Sequence, residues 1–385
     1  MKNLYLLFLV IIFFSTGCSN SNTENISVKA KNIILLIGDG MGPEHIKAAG
    51  WKEVGKEGKL YMETLSKSGY IRTSSADNLI TDSAAAATAI ATGVKTNNGV
   101  ISLDPSLNKL ITILEEAKAL GKSVGLITNV QIIHATPAAF ASHVESRANT
   151  TEIARQILDN EVDVLLGGGE NYFLPNTTIG CFPEIGHRND NRNLINEAID
   201  EGYTYVCDSG SLEDINSSNV TKLIGLFSDE GMDRPFSPSL DLMITKAIEI
   251  LAKNDKGFFL MVEGGQIDWA SHANDAENAM NDTINFDKAV KIAHDFSIED
   301  NETLIIITAD HETGGMSTSL VSTGESSEDG PFYMPNGEEF YINWSTTGHT
   351  NSNVKVFAHG YNYNLFEGEH ENIFIYEVMK ESFGF

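Results

Sequence analysis

Seven short runs along the chain are almost wholly apolar, and several end in a glycine or a charged residue. They are Asn32–Gly38, Ser123–Thr128, Val162–Leu166, Leu223–Phe227, Phe258–Val262, Leu304–Thr308 and Val354–Ala358. A strand apolar at consecutive positions is buried on both faces, as in a parallel sheet held between two layers of helix. Between these runs the apolar positions recur with helical spacing, in Ile111–Leu120, Thr151–Leu158 and Leu240–Ala252. The alternation predicts a doubly wound α/β fold: a mostly parallel central sheet with helices on both faces and surface insertions. The stretch from about Pro175 to Asp214 is polar and weakly periodic, and reads as an excursion from the core. Gly324–Glu339 reads as a surface loop.

The first residues carry a different pattern. Lys2 is followed by an apolar run from Leu4 to Phe14 and then by Ser15-Thr16-Gly17-Cys18. A cation, an apolar run too short to span a bilayer and a small-residue site form an export signal. Small residues before Cys18 resemble the lipobox of bacterial lipoproteins, where the Cys is lipidated and becomes the new N-terminus; Ser15 stands where Leu is usual. The alternative is ordinary cleavage with Cys18 incidental. The reading is therefore a signal over residues 1–17, a polar tether over 18–30, and a single domain over 31–385 with the polar insertion near 175–214. It implies a periplasmic protein with a lipid anchor at Cys18. Beyond Cys18 only Cys181 and Cys207 remain. In an oxidising compartment they can pair, and two free thiols are an equal alternative.

Composition narrows the classes of partner. The 26 Lys and Arg against 53 Asp and Glu leave a formal charge of −27, which speaks against binding nucleic-acid polymers or adsorbing directly to anionic lipid. Three Cys in 385 residues are too few for a disulfide framework, and 42% hydrophobic residues are too many for disorder.

The acids are not scattered at random. Three apolar runs lead into a carboxylate: Asp39 after the first, Glu263 after Phe258–Val262, and Asp310-His311 just after Leu304–Thr308. Ligands of open α/β sheets bind beyond the carboxyl ends of the strands, so these acids converge on one crevice and need a cation to neutralise them. Asp268 and His272 are four apart and share one helix face. His349 follows a Thr-Thr-Gly turn. Mixed His and carboxylate donors suit zinc, whereas carboxylate with hydroxyl suits magnesium. Ser83 opens an alanine-rich, strongly helix-forming run, where a helix N-terminus favours an anion. Taken alone, that segment makes Ser83 an N-cap first and a nucleophile second. No Ser-His-Asp order is evident, so a nucleophilic Ser83 needs a metal. Arg147 offers a planar fork for phosphate or sulfate.

Five separated motifs now fall into one familiar order: IGDGMG (37–42), TDSAAAATAIATG (81–93), HATPAAFASHVESR (134–147), VEGGQIDWASHAN (262–274) and TADHETGG (308–315), followed by GHT (348–350). The sequence resembles the bacterial alkaline phosphatases from about Lys31 to its end. The resemblance implies two zinc ions and one magnesium. Asp268, His272 and His349 hold one zinc. Asp39, Asp310 and His311 hold the other, beside Ser83. Asp39, Thr136 and Glu263 hold the magnesium. It makes Ser83 the nucleophile of a phosphate-monoester hydrolase that passes through a phosphoserine, with Arg147 as phosphate clamp. His134 and Trp269 stand where the best-studied enterobacterial type has Asp and Lys, and resemble a subgroup that includes marine and cold-adapted enzymes. His134 falls near the magnesium and Trp269 near the phosphate, which leaves magnesium affinity and phosphate release open. The resemblance also allows a homodimer. The rival readings are a related phosphodiesterase or sulfatase, and a non-catalytic lipoprotein that binds metal or phosphate.

Overall fold

The computed structural model describes residues 29–385; the export signal and Cys18 lie outside the described residues. In chain order the first half comprises β1 (Asn32–Gly38), α1 (Pro43–Val54), β2 (Lys67–Arg72), α2 (Ser83–Thr92), α3 (Ile113–Ala119), β3 (Ser123–Gln131), α4 (Ala135–Ala141), α5 (Thr150–Asp159) and β4 (Val164–Gly168). There follow α6 (Leu194–Asp200), β5 (Thr204–Val206), α7 (Ser209–Glu213), β6 (Leu223–Leu226), α8 (Leu240–Leu251), β7 (Phe258–Gly264), α9 (Gln266–His272), α10 (Ala276–Asp300) and β8 (Thr303–Thr308). The last part holds β9 (Glu312–Thr313), β10 (Ser317–Ser319), β11 (Glu328–Tyr333), β12 (Glu339–Asn343), β13 (His349–Thr350), β14 (Val354–His359), β15 (Gly368–Glu371) and α11 (Ile373–Phe383).

Ten strands form the central sheet in the order β15-β2-β14-β8-β1-β7-β3-β4-β6-β5. All seven apolar runs lie in it. β14 alone runs against its neighbours, β2 and β8; every other pairing is parallel. β1 is central, flanked by β7 and β8, and all seven of its residues are buried. Each such Ile or Leu contributes about 1.5–3 kcal/mol by leaving water. One helical layer carries α10, α8 and α1; the other carries α2, α3, α4 and α11. All ten residues of α2 are buried, because its alanines leave no bulk to hold α4 and α11 away.

Two expectations need correction. Gly324–Glu339 is not simply a loop: it includes β11 and leads into β12, which lies between β10 and β11 in a separate three-stranded sheet. Phe340 anchors that sheet against Phe332 and Trp51, at ring separations of 5.6 and 5.7 Å. A strand with a mostly exposed face gives too little apolar signal to be read from sequence. The polar stretch from Pro175 to Asp214 does leave the core, but it returns: β5 pairs with β6 at the sheet edge, and Cys181 is bonded to Cys207.

Candidate active site

The parallel register sets the site. β1, β7 and β8 end at the same level, with Ile37 opposite both Glu263 and Thr308. The acids that follow these strands therefore meet. Asp39, Glu263, Asp268 and Asp310 are all buried. The chain passes between them at Gly40, whose φ is +71°. A Cβ there would lie 2.8 Å from Thr313 Oγ1 and 2.9 Å from Asp268 Oδ1, so only glycine fits on both counts.

Three groups of donors form, each with ligand atoms within 4.8 Å of one another. They are Asp268, His272 and His349; Asp39, Asp310 and His311; and Asp39, His134 and Glu263. Histidine tautomers follow from their outer partners. His272 Nδ1 donates to Thr347 C=O (2.6 Å) and His349 Nδ1 donates to Thr81 C=O (2.8 Å). Their Nε2 atoms consequently face each other at 3.1 Å, beside the Asp268 carboxylate at 3.3 and 3.6 Å. Thr313 donates its hydroxyl proton to Asp268 Oδ1 and so accepts from His311 Nδ1 (3.2 Å). His311 Nε2 then turns toward Asp310 (3.3 Å), Asp39 (3.4 Å) and Ser83 Oγ (3.2 Å). The His311 and His349 rings stack at 3.6 Å, placing the first two groups side by side.

The electrostatics call for cations. Both Asp39 carboxylate oxygens, Glu263 Oε1, Asp310 Oδ2 and Thr136 Oγ1 are buried without a hydrogen-bond partner among the described residues. Orphaned buried carboxylate oxygens are costly unless an ion satisfies them. Burial, reinforced by Asp310, Asp268 and Glu263, pushes the Asp39 carboxyl well above its ordinary range. Burial and then Asp268 push Asp310 up to about 8. Burial, with His349 next, holds His311 well below its usual value. The Asp268 carboxyl shifts the other way: burial opposes it, but His272, His311 and His349 together pull it down. The hydrogen bond to Asp268 raises His272 to about 9. Facing imidazole nitrogens and unpartnered buried carboxylates are donors that a cation would satisfy, and the donor types fit zinc for the first two groups. The third group sets the two carboxylates of Asp39 and Glu263, which suit a harder ion, against the His134 ring.

Ser83 is not the N-cap. Asp82 caps α2, accepting from Ala85 N–H (3.0 Å), and Ser83 is the first residue of the helix. Its hydroxyl is thereby free to turn toward His311. Asp82 Oδ2 also accepts from Arg147 Nη1 (3.1 Å), while Arg147 Nη2 donates to His134 Nε2 (3.1 Å). The guanidinium thus sits at the mouth of α2, next to Ser83. His134 Nδ1 lies 3.6 Å from Glu263 and 3.9 Å from Asp39, so this ring is itself one of the third group's donors. Trp269 meets the His134 ring edge-on, with centroids 6.2 Å apart.

The comparisons decide the family. The alkaline phosphatase family model matches residues 30–332. The chain belongs to the alkaline phosphatase family. It is 41% identical over 324 residues to alkaline phosphatase 4 of Bacillus subtilis (strain 168), covering 78% of this chain and 66% of that one. Alkaline phosphatase 3 of the same organism is also 41% identical, over 303 residues, covering 74% and 62%. The matched stretch is therefore just under two thirds of these relatives' own length. The structure of alkaline phosphatase from the Antarctic bacterium TAB5 superposes with a TM-score of 0.78 at 32% identity, over 92% of this chain and 98% of that one.

Three features of this site were not legible in the sequence. Thr313 links Asp268 to His311 from inside the TADHETGG motif, yet nothing about a threonine announces a bridging role. Thr81 and Thr347 act through backbone carbonyls, which leave no mark in the side-chain pattern. Gly231 lies against the indole of Trp269, where a Cβ would come within 2.5 Å of the ring. Trp269 was thus singled out without the residue that holds it.

Proposed function

We propose that this chain hydrolyses phosphate monoesters to an alcohol and inorganic phosphate through a covalent phosphoserine on Ser83. One observation carries the reading: Ser83 Oγ, freed from capping, lies 3.2 Å from a histidine nitrogen that also faces two buried, unneutralised carboxylates, with Arg147 alongside. Asp268, His272 and His349 would hold one zinc, and Asp39, Asp310 and His311 a second. Asp39, Thr136 and Glu263 would hold magnesium, with His134 against that site. When bound, these cations supply Lewis-acid stabilisation of the attacking and leaving oxygens.

The chain's own groups do the rest. Arg147 presents its fork to two non-bridging phosphate oxygens, oriented by Asp82 and His134. The first N–H groups of α2 add the favourable end of the helix dipole. Ser83 Oγ gives its proton to solvent and attacks phosphorus in line; the bond from phosphorus to the ester oxygen breaks, and the alcohol leaves after taking a proton from water. Water then attacks the phosphoserine, returning the serine hydroxyl and releasing phosphate. His272 is exposed whereas Asp39, Asp310 and His311 are buried, so the alcohol and the water use the His272 side of the crevice. Burial holds His311 well below its usual value, which keeps its nitrogen free as a ligand and makes it too weak a base to take the Ser83 proton near neutral pH. Trp269 and His134 border the phosphate. Export with a lipid anchor at Cys18, a single domain over 31–385, and a homodimer complete the proposal. No helix among the described residues is long and apolar enough to cross a membrane.

Purified protein assayed side by side on a phosphate monoester, a phosphate diester and a sulfate ester, with metal content measured, tests the reading. Sustained turnover of the monoester with zinc and magnesium bound is expected. Preference for the diester or sulfate, or no turnover, would overturn it.

A further inference from the structure

His45 is a buried histidine that the chemistry above leaves unused. It lies in the first turn of α1, and 1% of it is exposed. Both ring nitrogens are engaged. Gly42 N–H donates to Nδ1 at 3.2 Å, and Nε2 lies 2.9 Å from Ser271 Oγ. The Ser271 hydroxyl donates its own proton to Ile267 C=O (2.7 Å). It therefore accepts from His45, whose proton sits on Nε2. Burial pushes this imidazole down to about 4, so the neutral ring persists near pH 7. The Trp344 indole packs edge-on against it, with centroids 6.1 Å apart.

The two ends of this bridge carry different ligands. Gly42 closes the turn that begins at Asp39, which belongs to both the second and the third donor groups. Gly40, in the same turn, donates its N–H to Asp310 Oδ1 (3.1 Å), and its C=O accepts from Thr313 N–H (3.1 Å). The turn is thereby fixed to the second group. Ser271 stands in α9 between Asp268 and His272 of the first group. We infer that His45 is a positioning residue: with Ser271 it holds the Asp39 turn at a set distance from the α9 ligands, and so fixes the spacing of the two zinc groups. The inference rests on the metal reading proposed above. His45 would act through the ligands rather than on the substrate, as residues outside the ligand shell do.

His45→Leu removes both ring bonds with little change of volume. It strands no buried donor, because Gly42 N–H keeps Gly40 C=O and the Ser271 hydroxyl keeps Ile267 C=O. Metal-free protein is titrated with zinc chloride against a competing chelator. The variant is expected to need about 10-fold more free zinc for half-maximal loading, and the reloaded variant to lose about 10-fold in kcat with KM within about twofold of wild type. Ser271→Ala should reproduce both changes, and the double variant should be no worse than either single one, because the two residues act as one unit. A side chain that merely supports the fold would lower the thermal midpoint of metal-free and zinc-loaded protein alike and leave zinc loading at the wild-type concentration. That result would overturn the inference, as would additive losses in the double variant. Wild-type protein that binds no zinc would overturn the metal reading itself, and this inference with it.

Discussion

The hydroxyl at position 83 is available for chemistry because the residue before it does the capping. Asp82 binds Ala85 and Gly99 N–H groups with one carboxylate oxygen and Arg147 with the other. Three consequences follow at single residues. Ser83→Ala should reduce monoester turnover by at least roughly 10³-fold, as loss of a nucleophile does, while metal content by elemental analysis stays that of the wild type. Wild-type-like turnover would remove Ser83 from the mechanism. Gly231→Ala forces the Trp269 indole to move, since 2.5 Å is no van der Waals contact. Its KM and its inhibition by phosphate should change several-fold, more than its kcat, with metal content preserved. His134 already stands among the donors with Asp39 and Glu263, so an aspartate there would add a third carboxylate. His134→Asp here is expected to lower the magnesium concentration needed for half-maximal activity; an unchanged or higher requirement would separate His134 from that site.

Elements bring these residues into range, and their ends matter more than their middles. α3 shows how an end is fixed. Thr112 accepts from Glu115 N–H while Glu115 accepts from Thr112 N–H, and the Glu115 carboxylate also meets His143 at 3.0 Å. Burial opposes ionisation of Glu115, but these bonds win and hold its carboxyl down to about 2. A carboxyl depressed on folding stabilises the protein above its unfolded value of about 4.3. That stability disappears as pH falls through the folded value. Partly buried, with its side chain 15% exposed, Glu115 contributes about 1–2 kcal/mol after solvent screening. Glu115→Gln should lower the thermal midpoint at pH 7 and flatten its fall between about pH 4.5 and 2. Parallel acid limbs in both proteins would show that the ionised carboxylate contributes nothing.

For the whole molecule the charge acquires a local meaning. The net charge is −27, yet the crevice concentrates only four of the carboxylates, Asp39, Glu263, Asp268 and Asp310, all of them buried. Bound divalent cations would reverse the sign of the field there, so an acidic protein can still receive a phosphate dianion. Chelation should abolish activity and lower the thermal midpoint by several degrees, because the orphaned oxygens of Asp39, Glu263 and Asp310 lose their counter-ions. Zinc together with magnesium should restore both. Restoration by manganese alone would point to a different branch of metal-dependent chemistry.

The division between sequence and tertiary structure follows from range. Buried parallel strands are apolar at every position, so the seven runs from Asn32–Gly38 to Val354–Ala358 announced the sheet and, through the acids at their ends, the crevice. The five motifs named the family for the same reason: each is a local string whose residue types are demanded by the site. Exposed or short strands such as β11, β15 and β5 carry no such pattern and were invisible. So was everything that depends on which residue lands beside which. Asp82, not Ser83, takes the capping bond; the donors of His272 and His349 turn on backbone carbonyls contributed by Thr347 and Thr81; Gly231 braces Trp269; and Cys181 meets Cys207. A sequence specifies the chemistry a residue can offer, but hydrogen-bond partners and close contacts are set by three-dimensional proximity across tens to hundreds of positions, which only the packed sheet and its helices decide.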